Sequence, residues 1–255
     1  MVPTHLLVAT DLDGTLLNHD TYSYKPAMPL MHQLNGAGVP IILATSKTRA
    51  EVQCWQEKLS LEHPFIFENG SAVAFPDGST TVLGTELQHL EDCLEPFMKH
   101  VTSLVHCSLE DAEHLSGLGR TQVEQARARA FSLPFMVNDP AITEPLLQRA
   151  DAAGLQVLKG GRFFHLQGRC DKQLALARLL QHFDNACGFT HRVLALGDDQ
   201  NDKAMLEHAD FAVVVRKGQD YGLKLSNRRT YYTQTQAPQG WVEGITHALT
   251  HFKSE

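Results

Sequence analysis

Short apolar runs alternate with amphipathic stretches along most of this chain, which is the pattern of an α/β protein. The apolar runs have the length of buried strands and cover residues 6–10, 39–44, 64–67, 193–196 and 211–215. The stretches between them space their apolar residues as helices do, at residues 26–35, at residues 48–59 and after Asp171, a predicted helix cap. We therefore predict a parallel sheet with helices on its faces.

The middle of the chain has a different pattern. Between about Gly84 and Gly168, polar or amphipathic helices alternate with short strands. The predicted helices cover residues 87–101 and 122–130, and the predicted strands cover residues 135–138 and 156–159. We predict an inserted α+β domain at residues 85–168, with residues 1–84 and 169–255 forming the main domain.

Composition narrows the class of protein. The 255 residues are 43% apolar and 20% charged, as in an ordinary globular protein, and the net charge of −7 argues against nucleic acid as a partner. No apolar stretch is long enough to span a membrane, and we expect no signal peptide because no basic region precedes the first apolar run. The five cysteines are widely spaced and odd in number, which favours reduced thiols and predicts a cytoplasmic protein.

Two aspartates follow the first predicted strand and carry most of the candidate chemistry. Asp11 and Asp13 stand at its carboxyl end, where open α/β sheets place their sites, and Gly14 permits a sharp turn directly after them. One carboxylate can attack phosphorus while the other transfers the proton of the leaving oxygen. Their mutual repulsion predicts a hard divalent cation. A simple Asp-Gly turn is the alternative for an isolated Asp-x-Asp-Gly string.

Three further segments place polar groups at comparable positions. Thr45 follows the second strand and can donate to a phosphoryl oxygen, although a helix cap is the alternative. Lys172 lies in the first turn of a helix, where the dipole disfavours a cation unless an anion is bound, although a surface lysine is the commoner case. The run from Asp198 to Asp202 follows another strand and can complete a metal site, or form an acidic turn.

Together these segments resemble the four motifs of the haloacid-dehalogenase-like (HAD) phosphotransferases. Asp11 to Thr15 matches the first motif, DxDGT, and residues 197–202 match the fourth, GDxxND. The resemblance implies a Rossmann-like parallel-sheet core with an inserted α+β cap of type C2, and Mg²⁺ as cofactor. It further implies catalysis by Asp11, Asp13, Thr45 and Lys172, and a metal site formed by Asp11, Asp13, Asp198 and Asp202.

Within the C2 subclass, the chain is most similar to the mannosyl-3-phosphoglycerate phosphatases. The string Thr45-Ser46-Lys47-Thr48, the turn at residues 68–70 and the cap stretches at residues 119–135 and 160–165 carry this resemblance, whereas Phe131 and Leu133 depart from it. It implies a small phosphorylated substrate bound by Lys47, Asn69, Gly70, Arg127, Arg129 and Arg162. A broader phosphosugar phosphatase, a phosphomannomutase and a non-enzymatic phospho-acceptor signalling module are the alternatives.

Overall fold

The computed structural model describes residues 5–160 and 163–253. The strands are β1 (Leu6–Thr10), β2 (Ile41–Leu43), β3 (Phe65–Phe67), β4 (Ala72–Ala74), β5 (Thr80–Val82), β6 (Val101–Ser103), β7 (Ser132–Val137), β8 (Leu155–Lys159), β9 (Phe164–Gly168), β10 (Arg192–Gly197), β11 (Phe211–Arg216) and β12 (Thr230–Gln236). The helices are α1 (Met28–Gly36), α2 (Arg49–Leu59), α3 (Leu87–Leu94), α4 (Leu109–Ser116), α5 (Arg120–Arg127), α6 (Thr143–Ala152), α7 (Lys172–Cys187), α8 (Lys203–His208) and α9 (Gln239–Lys253).

The main sheet is parallel, in the order β12-β11-β10-β1-β2, with helices on both faces. Alternate residues of β1 pack on opposite sides: Leu6 and Val8 join the cluster that includes Trp241 of α9, and Leu7 and Ala9 join the cluster of α7 and α8. A strand buried on both faces has to be apolar throughout, which explains its sequence. The predicted α/β class with a parallel sheet is confirmed.

A second, antiparallel sheet in the order β6-β7-β9-β8 lies between the two halves of the main fold in sequence. One of its faces presents Leu133, Phe135 and Leu166, which are buried with residues of α3 and α6 in a separate core. We call the elements from α3 to β9 the cap and the remainder the core. The predicted boundaries at residues 84/85 and 168/169 stay a prediction.

Two predicted cap helices end earlier than expected. The helix predicted over residues 87–101 stops at Leu94, because Pro96 cannot donate to the helical hydrogen bonds and instead lies in a short 3₁₀ turn, after which the chain continues into β6. The helix predicted over residues 122–130 runs from Arg120 to Arg127, because the residues that follow leave it to contact the core.

In the part of the chain that the structure describes, no helix is long and apolar enough to cross a membrane. No disulfide joins the five cysteines, all of which lie among the described residues.

Candidate active site

β1 and β10 are neighbours in the sheet, and the loops that follow them carry Asp11 and Asp198. The Asp11 N–H donates to the Leu196 carbonyl across this pair of strands, at 3.0 Å. Gly14 has a φ of +78°, and a Cβ added there would lie 2.6 Å from Asp198 Oδ2. Glycine is therefore required both for the left-handed backbone and for the close approach of the two acidic loops.

Lys172 connects two of the acidic segments. Its Nζ lies 2.7 Å from Asp11 Oδ1 and 2.6 Å from Asp202 Oδ1, and the lysine is only 1% exposed, which excludes a surface lysine. Burial by itself lowers the pKa of Lys172, but the charges of the two carboxylates and their hydrogen bonds outweigh burial and raise it above its ordinary value. Asp171 caps this helix, because its carboxylate accepts a hydrogen bond from Leu174 N–H at 2.7 Å. The Lys172 ammonium is held at the start of the helix by the carboxylates of Asp11 and Asp202.

The loop after β10 is folded around the carboxylate of Asp202. Its Oδ2 accepts the backbone N–H groups of Asp198 and Asp199, at 3.0 and 3.2 Å, while its Oδ1 accepts from Lys172. Both oxygens of this buried side chain thus already have donors. Through these contacts, Asp202 holds Lys172 and the loop in place. Its place in the predicted metal site stays a prediction.

The three carboxylates of Asp11, Asp198 and Asp202 form a buried cluster whose ligand oxygens lie within 4.8 Å of one another. Burial first, and then the neighbouring carboxylates, raise the pKa of Asp11 well above its usual value despite Lys172. Burial and Asp202 likewise raise the pKa of Asp198 to about 7. Clustered carboxylate oxygens that disfavour one another's ionisation fit a hard divalent cation, which would relieve the repulsion.

Asp13 lies beside this cluster and forms an ion pair with Lys47. Lys47 Nζ lies 2.9 Å from Asp13 Oδ2 and 3.8 Å from a Glu51 oxygen. Burial lowers the pKa of Lys47, but these carboxylates raise it more, so the lysine is charged. Asp13 Oδ1 is buried and has no hydrogen-bond partner among the described residues, so it is available to a bound group. Lys47, predicted to bind substrate, contacts the candidate acid/base directly.

Thr45 lies two residues after the end of β2, the strand that pairs with β1. It is fully buried, and its hydroxyl oxygen accepts the Lys47 N–H at 3.3 Å. This bond leaves the hydroxyl hydrogen free to be donated, as the prediction for a phosphoryl-oxygen donor requires.

A turn of three left-handed residues lies next to these loops. Glu68, Asn69 and Gly70 have φ values of +47°, +56° and +91°. The Asn69 Oδ1 accepts from Asn201 Nδ2 of the acidic loop at 3.1 Å, and a Cβ on Gly70 would lie 2.0 Å from the Asp171 carbonyl oxygen. Gly70, predicted to bind substrate, therefore has an observed packing role: it lets this turn press against the start of α7.

Replacing Gly70 by alanine is expected to destabilise the fold by more than the left-handed penalty of about 1–2 kcal/mol, because the new Cβ meets backbone that cannot yield. Gly38→Ala is the matched control, since Gly38 has a φ of +76° but no atom within 4 Å of an added Cβ. Urea unfolding of both variants measures the difference. Equal losses of unfolding free energy would show that the contact with Asp171 does not matter.

The predicted cap arginines are engaged in contacts of two kinds. Arg127 donates to the Val105 carbonyl inside the cap at 2.6 Å. Arg129 donates at 2.8 Å to the carbonyl of Ser46, next to Thr45, and so joins cap to core. Arg162 lies outside the described residues. The role of these arginines in substrate binding stays a prediction.

Sequence reasoning did not assign two side chains of this region. Lys217, directly after β11, lies 3.4 Å from Asp198 Oδ2 and 2.5 Å from Asp199 Oδ2. Its position at the carboxyl end of a strand beside β10 was a usable signal. Glu68 binds the cap through its carboxylate, and no local pattern indicates that contact.

The sequence is similar to those of proteins that are named as phosphatases. The model of a family described as sucrose-6F-phosphate phosphohydrolase matches residues 4–253. The glucosyl-3-phosphoglycerate/mannosyl-3-phosphoglycerate phosphatase of Persephonella marina is 33% identical, over 97% of this chain and 98% of its own. The protein of the same name from Methanococcoides burtonii is 31% identical, over 94% of this chain and 95% of its own.

Solved structures show the same fold. BT1666 from Bacteroides thetaiotaomicron, a phosphatase of the haloalkanoate (HAD) superfamily, superposes with a TM-score of 0.70 at 18% identity and covers 99% of this chain and 98% of its own. The HAD subclass IIB sugar phosphatase BT4131 superposes with a TM-score of 0.69 at 15% identity, covering 97% and 99%. At these identities the likeness shows the fold, a parallel-sheet core with its cap.

Proposed function

This chain belongs to the haloacid-dehalogenase-like phosphatases and is a phosphoric monoester hydrolase, and we propose that it removes phosphate from mannosyl-3-phosphoglycerate, giving mannosylglycerate. The observation that carries the substrate is the 33% identity, over almost the whole of both chains, to a phosphatase named for glucosyl- and mannosyl-3-phosphoglycerate. The glucosyl compound is the second candidate of the same chemical class. The proposed location is the cytoplasm.

In the proposed reaction, Asp11 is the nucleophile. Lys172 binds Asp11 Oδ1, which leaves the other carboxylate oxygen to attack the phosphorus. The ester oxygen of the glycerate is displaced in line, and an aspartyl-phosphate forms on Asp11. The buried Lys172 ammonium and the Thr45 hydroxyl stabilise the charge on the phosphoryl oxygens.

Asp13 is the proposed acid and base. Lys47 holds one of its oxygens, and the unpartnered Oδ1 is the atom that would give a proton to the leaving oxygen. The same oxygen would then take a proton from the water that hydrolyses the aspartyl-phosphate. Asp11 and Asp13 thus divide nucleophilic attack and proton transfer between them.

Mg²⁺ is the proposed cofactor. Asp11, the backbone carbonyl of Asp13 and Asp198 would hold it, with Asp202 supporting the loop. When bound, the ion supplies positive charge that offsets the phosphate and the clustered carboxylates.

Activity is expected to be lost on chelation and restored by Mg²⁺. Asp198→Ala should raise the Mg²⁺ concentration for half-maximal activity by roughly tenfold or more, because the cluster loses a ligand. Asp77→Ala, which removes an exposed carboxylate in the turn between β4 and β5, is the control. The Mg²⁺-induced rise in melting temperature gives a second measurement. Full activity in excess chelator would contradict the proposed cofactor.

The substrate proposal is tested with a panel of phosphate esters. We expect kcat/KM for mannosyl- or glucosyl-3-phosphoglycerate to exceed that for glucose 6-phosphate by about tenfold to a hundredfold, since the preferred substrates carry a second anionic group. Sucrose 6F-phosphate belongs in the panel because of the family model that matches the chain. A higher kcat/KM for that ester, or equal values throughout, would favour a broader phosphosugar phosphatase.

The same assay separates the remaining alternatives. A phosphatase releases one inorganic phosphate for each ester consumed, over many turnovers. A phosphomannomutase returns the phosphoryl group to sugar, and a phospho-acceptor signalling module stops after one phosphorylation. Steady release of phosphate excludes both.

A further inference from the structure

Glu68 is a buried carboxylate of the core that is bound entirely by the cap. It is 1% exposed, and its side chain accepts the N–H of Ala130, the N–H of Phe131 and the hydroxyl of Ser132, at 3.0, 3.0 and 2.6 Å. Both oxygens are used, since Ala130 donates to Oε1 and the other two groups donate to Oε2. Three donors converging on one carboxylate form a specific docking contact between core and cap.

The backbone of the same turn is bound to the catalytic loops. The Glu68 N–H donates to the Lys47 carbonyl and the Asn69 N–H donates to the Thr45 carbonyl, both at 2.9 Å. Glu68 and Asn69 have left-handed backbone conformations, which residues other than glycine rarely adopt. Such strain persists only where the surroundings over-determine it, as these contacts do here.

Other contacts place the adjoining cap segment over the loop that follows β2. Arg129 donates to the Ser46 carbonyl, and the Thr48 hydroxyl donates to the Gln125 carbonyl at 2.8 Å. The loop beneath this segment begins with Thr45, which has no exposed surface, and Asp11 and Lys172 are nearly as buried. The cap segment therefore contacts the loop that carries Thr45 and Lys47, so its position helps to set the room that is left for the sugar and glycerate of a substrate.

We propose that Glu68 is a positioning residue that docks the cap on the core and so holds the cap in place for a large substrate, an inference that rests on the proposed function. The carboxylate is required because its three partners are all donors. Glutamine offers a single acceptor oxygen, and its amide NH₂ group would face one of the cap donors. Glu68→Gln thus keeps the size of the side chain and removes its ability to satisfy the docking segment.

The first test measures docking without any substrate. In Glu68→Gln, hydrogen exchange in the peptide containing Ala130 and Phe131 is expected to be about tenfold faster, because the amide N–H that faces the glutamine NH₂ group loses its acceptor. Ser132→Ala removes one donor and leaves the Glu68 carboxylate in place. This variant should therefore fold, and its exchange rate in the same peptide should rise by less than that of Glu68→Gln. Glu57→Gln, the same change at an exposed position of α2, is the matched control.

The second test compares substrates of two sizes. Glu68→Gln is expected to lower kcat/KM for mannosyl-3-phosphoglycerate by tenfold or more, and that for p-nitrophenyl phosphate by less than about threefold, because the small ester needs only the core groups. Equal losses on both esters would assign Glu68 to the core alone and overturn the proposal, as would unchanged exchange at Ala130 and Phe131. If the wild-type protein rejects mannosyl-3-phosphoglycerate but hydrolyses p-nitrophenyl phosphate, the proposed substrate fails, and the exchange result still decides docking.

Discussion

Asp11→Asn is expected to lower kcat for phosphate release by more than about 10⁴-fold while the protein remains folded. An amide is a poor nucleophile, and Asp11 is the carboxylate that Lys172 orients at 2.7 Å. The fold should survive because asparagine has the same shape and Lys172 keeps its second partner, Asp202. Steady-state phosphate release measures the loss, and circular dichroism with a melting curve checks the fold.

The change at Asp11 has a matched control in Asp77→Asn, the same substitution at an exposed turn. This variant is expected to keep wild-type activity. If Asp11→Asn retained more than about one hundredth of the wild-type rate, Asp11 would not be the nucleophile.

Asp13→Asn is expected to lower kcat for an alkyl phosphate by about 10²–10⁴-fold, because the leaving alkoxide then has no proton donor. With p-nitrophenyl phosphate, whose leaving group needs no proton, the first phosphoryl transfer should be largely preserved. The second half of the reaction should remain slow, since no base activates water. We therefore expect a burst of about one nitrophenolate per protein and an accumulated phosphoprotein, visible by rapid mixing and intact mass measurement.

The two esters serve as controls for each other in this experiment, since both use Asp11 and only one needs the acid. Equal losses on the alkyl and aryl esters, without a burst, would show that Asp13 does not transfer the proton. The observed pair with Lys47 would then be its main role.

The fold was predictable where one local pattern sufficed. The strand at residues 6–10 is found as predicted, because a strand that is buried on both faces has a continuous apolar sequence. The helix that begins after Asp171 is also found as predicted, because aspartate is a common residue at the N-cap of a helix. The helix predicted across Pro96 is wrong, because the helical spacing of apolar residues continues past a proline whose missing N–H ends the helix. The early end of α5 had no comparable mark, because it depends on the contact of residues 130–132 with Glu68.

From the sequence alone, Asp11, Asp13, Thr45, Lys172 and Asp198 could be predicted to lie at one edge of a parallel sheet, because each follows a strand or begins a helix there. Their motifs are local, and the order of strands brings them together.

The side chains that these groups contact became visible only in the folded structure. The pairing of Lys47 with Asp13, the attachment of Arg129 to Ser46 and the docking of the cap on Glu68 join segments that are far apart in the chain. Such contacts depend on how the cap lies against the core and on which donors burial leaves to be satisfied. Neither the placement of the cap nor the set of buried donors is encoded in the spacing of apolar and polar residues along one segment.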